Sequence, residues 1–274
     1  MGGEKKKTLA TVIMMVFGII FVMPILLLVM NSFKPYNDMI QNFLSFPKSL
    51  YLGNYVTAMK RMDFFRVFFN SAVITGGTVV TCVLVSFMAA YGIAHLRGKV
   101  STGFYLLFTL GQIVPFHTIM IALSVMTTKL KMNNSFLVLI CLYAGFHCVF
   151  GIFTYVGFLK SIPKELEEAA AIDGCGAFRM MWQVIFPLVG PTSITIGVLF
   201  FLWTWNDFLM PSLMLSDSSK RTLTVMMYLF KSNASSEWNL LIAALTLSIL
   251  PVILLYICAQ KYITSGITAG AIKM

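Results

Sequence analysis

Six apolar stretches decide what this 274-residue chain can become. They run Leu9–Met30, Asn70–Ala94, Gly103–Met126, Ser135–Phe158, Pro191–Leu215 and Leu240–Lys261. Each matches the ~20 helical residues that cross a hydrocarbon core of ~30 Å. Within such a core every backbone N–H and C=O needs an internal partner, which leaves helices and closed barrels as spanning structures. The barrel signature, ten-residue segments of alternating hydropathy, is missing from the sequence. The expectation is an all-α membrane protein with six transmembrane helices, a single membrane domain over residues 1–274 and no soluble catalytic domain. With 58% hydrophobic and 11% charged residues, the composition lies far from the ~25% charged of soluble domains. Lys5-Lys6-Lys7 before the first stretch imitates a signal peptide, but no small-residue cleavage site follows, so the stretch reads as a retained first span.

A net charge of +10 raises a nucleic-acid reading. The basic residues are scattered over loops with no basic face interleaved with aromatics, so no nucleic acid is expected and attraction to anionic membrane lipid is the better use. Five cysteines, Cys82, Cys141, Cys148, Cys175 and Cys258, form no C-x-x-C pair. They read as small core hydrophobes, and no metal is expected. Gly92 to Lys99 approaches a phosphate loop, yet its spacing is one residue too long and Val100 stands where Ser or Thr is required. No ATP site is encoded here, and the chain itself is expected to bind no cofactor.

Between the fourth and fifth stretches lies the longest polar interruption of the C-terminal two-thirds, residues 161–190. Ser161 is placed to cap a helix, Pro163 to sit in its first turn, and Glu165, Glu167 and Glu168 lie near the positive end of its dipole. Gly174 ends it. A second short run, Ala177 to Ile185, closes at Pro187. The pattern predicts helix, turn, helix at a membrane surface.

Glu168-Ala169-Ala170, three residues, Gly174, nine residues, then Val184-Ile185-Phe186-Pro187 resembles the EAA loop of bacterial ABC importer permeases. The family form favours Ile and, two places on, Leu-Pro; Val184 and Phe186 are conservative replacements. Asp173-Gly174 and Phe178 resemble the carbohydrate-importing branch. The resemblance implies a cytoplasmic coupling loop that grips an ATPase, with Glu168, Ala169, Ala170, Asp173 and Gly174 at the contact. It further implies a second related permease, two ATPase subunits that hold ATP and magnesium, an extracellular solute-binding protein and a carbohydrate substrate. The chain is then a transport subunit and not an enzyme.

Orientation by Lys and Arg is a tie: ten lie on each side when the N-terminus is placed inside. The three lysines before the first span favour the inside, and the resemblance decides it. Both termini are expected in the cytoplasm of a bacterial inner-membrane protein. The outer segment Asn31 to Phe69 carries Ser32-Phe33-Lys34-Pro35 and Asn54-Tyr55. It reads as a lid or as an amphipathic helix over Tyr55–Phe69; in the resembled family it helps receive the binding protein.

Gln112 and Pro115 interrupt the third span, as a structural kink or as one that lines the pathway. His117 and His147 read as interhelical donors or as a proton relay, which would want a carboxylate partner that sequence proximity does not supply. The fifth span holds the one acidic residue of the apolar body, Asp207, in the run Trp203-Thr204-Trp205-Asn206-Asp207. At ~1.5 Å per residue from Pro191 it lies ~24 Å up, near the outer interface. This run suits an aromatic belt or a sugar passage. The tail from Thr264 carries Gly266 and Gly270; by resemblance it threads between the ATPase subunits, and the alternative is a frayed terminus. A rival class, a stand-alone secondary transporter or membrane enzyme, would want inverted repeats, broken helices in both halves or a buried acid–base pair, and none is evident in the sequence.

Overall fold

A computed structural model describes residues 2–96, 98–233 and 237–271, and the side chains of 7–96, 98–229 and 237–261. All regular structure among the described residues is helical: α1 (Gly2–Ser32), α2 (Tyr36–Gln41), α3 (Gly53–Met62), α4 (Phe64–His95), α5 (Lys99–Gly111), α6 (Phe116–Lys129), α7 (Phe136–Leu159) and α8 (Lys164–Ile172). Then come α9 (Ala177–Arg179), a π-helical segment (Met180–Ile185), α10 (Phe186–Leu188), α11 (Gly190–Asn206), α12 (Leu209–Met214), a 3-10 turn (Ser218–Lys220), α13 (Leu223–Asn233) and α14 (Trp238–Ala271). Among the described residues, four helical stretches are long and apolar enough to cross a membrane, Lys7–Ser32, Phe64–His95, Phe136–Leu159 and Trp238–Lys261; the number is up to six if each of two bent pairs makes one span.

Prolines explain the bends. A proline inside a helix lacks the N–H that the carbonyl four residues back requires, and its ring crowds that carbonyl. Four residues before Pro115 is Gly111, where α5 ends; α5 and α6 meet at 89°. Four residues before Pro211 is Asp207, where the backbone turns extended (ψ 132) and α11 stops. The Asp207 carbonyl, freed from the helical ladder, accepts the Thr224 hydroxyl at 2.6 Å. Pro187 follows the π-helical segment, whose wider turn absorbs a missing donor, and Pro191 opens α11 after a 76° bend. The expected single spans Gly103–Met126 and Pro191–Leu215 are each divided as a result. At 13 and 14 residues, α5 and α6 measure only ~20 Å apiece, short of a ~30 Å core. Broken helices thus occur in both halves of the chain, contrary to the sequence reading, and their presence does not separate a secondary transporter from other transport proteins.

The residues gather in two compact units, Met1–Val67 with Met226–Pro251 and Phe68–Val225 with Val252–Met274. In the first unit the Ser32-Phe33-Lys34-Pro35 and Asn54-Tyr55 motifs close on each other. The fully buried Lys34 ammonium donates to Asn31 Oδ1 at 3.0 Å and to the Asn42 and Phe43 carbonyls at 2.8 and 3.3 Å. Burial holds its pKa below the ordinary lysine value, with the Asp38 carboxylate opposing that shift. Asn54 donates to the Ser32 and Lys34 carbonyls, both at 2.8 Å, and accepts from Asn239 Nδ2. The Ser32 and Tyr55 hydroxyls pair at 2.6 Å. These side chains fix this segment from within and turn away from solvent. The helix expected over Tyr55–Phe69 is divided at Asp63, whose left-handed backbone (φ 48) ends α3 before α4 begins.

The second unit packs α4, α7, the π-helical segment and α11 around Phe87, Ile152, Tyr155, Ile185, Ile196 and Phe200. Gly151 lets α4 and α11 approach α7: a Cβ there would fall 2.6 Å from Ser86 Cβ and 3.2 Å from the Phe200 ring. Tyr155 donates to Ser193 Oγ at 2.7 Å. Cys82 and Cys148 belong to this core as expected, whereas Cys141 and Cys258 are exposed among the described residues.

Candidate functional site: a cavity wall and a polar loop

A cavity of about 570 Å³ opens beside the break after α11. Trp203, Asn206 and Asp207 from α11 and its end line it, with Leu209 and Met210 of α12, Phe116 and His117 of α6, and Tyr143, Phe146 and His147 of α7. The sequence-predicted set therefore divides. Trp203, 42% exposed, Asn206 and Asp207 face the cavity. Trp205 is buried elsewhere, stacked on Phe201 at 5.5 Å and edge-on to Phe68. Gln112 and Pro115 do not line the cavity, but the turn they make delivers Phe116 and His117 to it.

Asp207 is held from three sides. Tyr143 donates its hydroxyl to Oδ2 at 2.7 Å, the Leu209 N–H reaches Oδ1 at 2.9 Å, and Thr224 takes the carbonyl. Its carboxylate thus organises the chain break and borders the cavity at once. One turn beyond Tyr143, the His147 ring lies nearly parallel to Tyr143 (5.5 Å, 10°) and to Phe200 (5.6 Å, 16°), with Trp203 at 5.4 Å. The carboxylate that neither histidine has near it in sequence is brought into the same cavity by the fold. Tyr143 and Phe146 escaped the sequence reading because an apolar helix such as α7 offers no period that marks its lining face.

The polar loop forms helix, turn and helix as predicted, with differences at its start. Pro163 is the N-cap of α8, and Ser161 turns its hydroxyl back to the Phe158 carbonyl at 2.7 Å instead of capping. At the other end the Cys175 N–H bonds the Ala170 carbonyl and the Gly174 N–H bonds that of Ala171, at 3.0 and 3.1 Å. Gly174 (φ 83) takes the left-handed position such a helix end requires. Glu168, Ala169, Asp173 and Gly174 are exposed, while Ala170 packs against the chain's own core beside Ile162 and Cys175. On either side of the turn Ile172 and Phe178 are 87% and 74% exposed. Behind the loop Trp182 and Phe186 pack against Phe87 of α4 at 5.6 and 4.9 Å. Gly266 and Gly270 lie beyond the last described side chain, and residues 272–274 lie outside the described residues.

Comparisons with known proteins agree on a family. Over 269 residues the chain is 39% identical to the "Probable starch degradation products transport system permease protein AmyC" of Thermoanaerobacterium thermosulfurigenes, covering 98% of this chain and 97% of that protein. It is 36% identical to the "Multiple sugar-binding transport system permease protein MsmG" of Streptococcus mutans, covering 96% and 95%. A chain in the crystal structure of a bacterial ABC transporter involved in the import of the acidic polysaccharide alginate shares the fold, with a TM-score of 0.79, 22% identity and coverage of 94% and 96%. Residues 82–269 match the family model described as binding-protein-dependent transport system inner membrane component, and the chain belongs to that family.

Proposed function

We propose that this chain is one permease subunit of an ATP-driven carbohydrate importer of the bacterial inner membrane, with both termini cytoplasmic. Residues 161–190 act as the coupling loop, and the cavity bordered by Trp203, Asn206 and Asp207 forms part of the sugar passage. The observation that carries this reading is the pair Ile172 and Phe178, large apolar side chains left open on a polar loop next to the exposed Glu168 and Ala169. Apolar groups exposed in a polar setting mark a protein contact. ATPase partners fit it, with ATP and magnesium bound to them and hydrolysis occurring there.

In this reading ATPase closure presses on α8, and the Trp182, Phe186 and Phe87 packing passes the displacement to α4. Rigid-body motion of the helices then switches the passage between its two openings. The cavity is open on one side, which a second, related permease closes. A solute-binding protein delivers the sugar, and Gly266 and Gly270 carry the tail into the ATPase interface. The sugars named for the relatives support a carbohydrate substrate, and malto-oligomers are the first to test.

Copurification tests the assignment. Tagged wild-type chain should carry its ATPase through detergent purification, and Ile172→Glu or Glu168→Lys should lose it while the permease stays folded. Both variants retaining the ATPase and transporting labelled maltotriose normally would remove the coupling loop from residues 161–190.

A further inference from the structure

We infer that Asp207 makes the cavity selective for neutral oligosaccharides and repels sugars that carry carboxylate or sulfonate groups. The inference rests on the reading of this cavity as part of the sugar passage. Its wall has what a pyranose ring needs: aromatic faces at Trp203, Phe116 and Phe146, and an amide at Asn206. Asp207 is the one acidic side chain among the lining residues, and no lysine or arginine is present there to offset it.

The carboxylate is fixed in place. Tyr143 and the Leu209 N–H each occupy one of its oxygens, and each oxygen keeps a further lone pair. Sugar hydroxyls are donors and can use those lone pairs. An ionised uronate offers its own carboxylate as acceptor only, so it meets Asp207 as a like charge and gains no bond. At a separation of ~6 Å in a partly desolvated site, one such charge weakens binding by about tenfold or more.

The experiment uses the full chain assembled with its partner permease in lipid nanodiscs, titrated with maltotriose and with trigalacturonate and followed by tryptophan fluorescence. Trp203→Phe assigns the signal to the cavity. Wild type should respond to maltotriose and bind trigalacturonate at least about tenfold more weakly, with the gap narrowing at high salt. Asp207→Asn, which keeps an acceptor for the Leu209 N–H, should close most of the gap. Asn206→Lys, which leaves Asp207 and its bonds in place, should do the same. Wild type binding both sugars equally overturns the selectivity and leaves the passage intact, as does persistent rejection of trigalacturonate in both variants. A Trp203 signal that responds to neither sugar overturns the passage reading and the selectivity with it.

Discussion

His95 Nε2 stands 2.8 Å from Glu167 Oε2 and so ties the last turn of α4 to α8. On its other side Nδ1 meets the Tyr91 carbonyl at 2.8 Å, and the Tyr91 ring lies 4.0 Å from the imidazole. A carbonyl only accepts, so Nδ1 carries the hydrogen and the ring orientation is fixed. With its side chains 40% and 30% exposed, the pair adds only ~0–1 kcal/mol to stability. Its consequence is positional: Glu167 holds α8 to the membrane helix, while Glu168 beside it faces outward. Glu167→Ala should therefore shift the melting temperature by no more than ~4 °C and keep the ATPase bound, yet lower sugar transported per ATP hydrolysed severalfold. An unchanged transport ratio in proteoliposomes would show that the pair transmits nothing.

Asn54 offers a stability prediction free of any functional reading. Asn54→Ala removes both donors to the Ser32 and Lys34 carbonyls and the acceptor for Asn239. Buried groups left unpaired cost ~1–3 kcal/mol each, so the detergent-solubilised protein should lose several degrees of melting temperature. Asn239→Ala, which removes one partner only, should lose less. Equal melting temperatures for Asn54→Ala and wild type would contradict the network.

Lys34 sets the pH response of the same segment. Its folded pKa lies below the ordinary value of ~10.4. Between the two values the unfolded chain holds a proton that the folded chain has released, so this group's contribution to stability rises with pH across that alkaline window. Lys34→Met should flatten that rise in thermal unfolding measured from neutral pH upward. A wild-type slope in the variant would assign the rise to another group.

How much of this could be read from residues alone follows from what each signal depends on. The helices, the polar loop and Gly174 at its turn were legible because hydropathy over ~20 residues and a left-handed helix end are local properties. Pro115 announced an interruption, but the size of the bend, 89°, is not carried by the residue type. Asp207 stood out as an acid in apolar surroundings, while Tyr143, 64 residues away, could be joined to it only by the fold. Ser32-Phe33-Lys34-Pro35 and Asn54-Tyr55 were visible as motifs, and their mutual closure was not, since it joins Asn54 to a carbonyl 20 residues earlier.

Gly151 tests the closest approach in the larger core. A Cβ there meets Ser86 and Phe200, and overpacking of this kind costs ~1–3 kcal/mol. Gly157, six residues along the same helix, has open space around its Cβ position and gains the ~1 kcal/mol that alanine brings to a helix. Gly151→Val should melt earlier than wild type and Gly157→Ala at or above it. The reverse order in detergent thermal scans would place the close approach elsewhere.

Pro115→Ala carries the fold argument to the cavity. Restoring an N–H at residue 115 lets the Gly111 carbonyl find its helical partner and removes the ring that crowds it. α5 can then continue into α6, taking Phe116 from its edge-on contact with Phe146, 5.2 Å away, and His117 from the cavity wall. Two helices of 13 and 14 residues at a right angle put their far ends ~29 Å apart, and one continuous helix from Lys99 to Lys129 puts them ~45 Å apart. Spin labels at Lys99 and Lys129, placed by cysteine substitution after the native cysteines are replaced, read that distance directly. The variant should lengthen it by several ångströms and lose most sugar uptake. A distance distribution unchanged from the parent would mean that packing against α7 and α12, and not the proline, sets the bend.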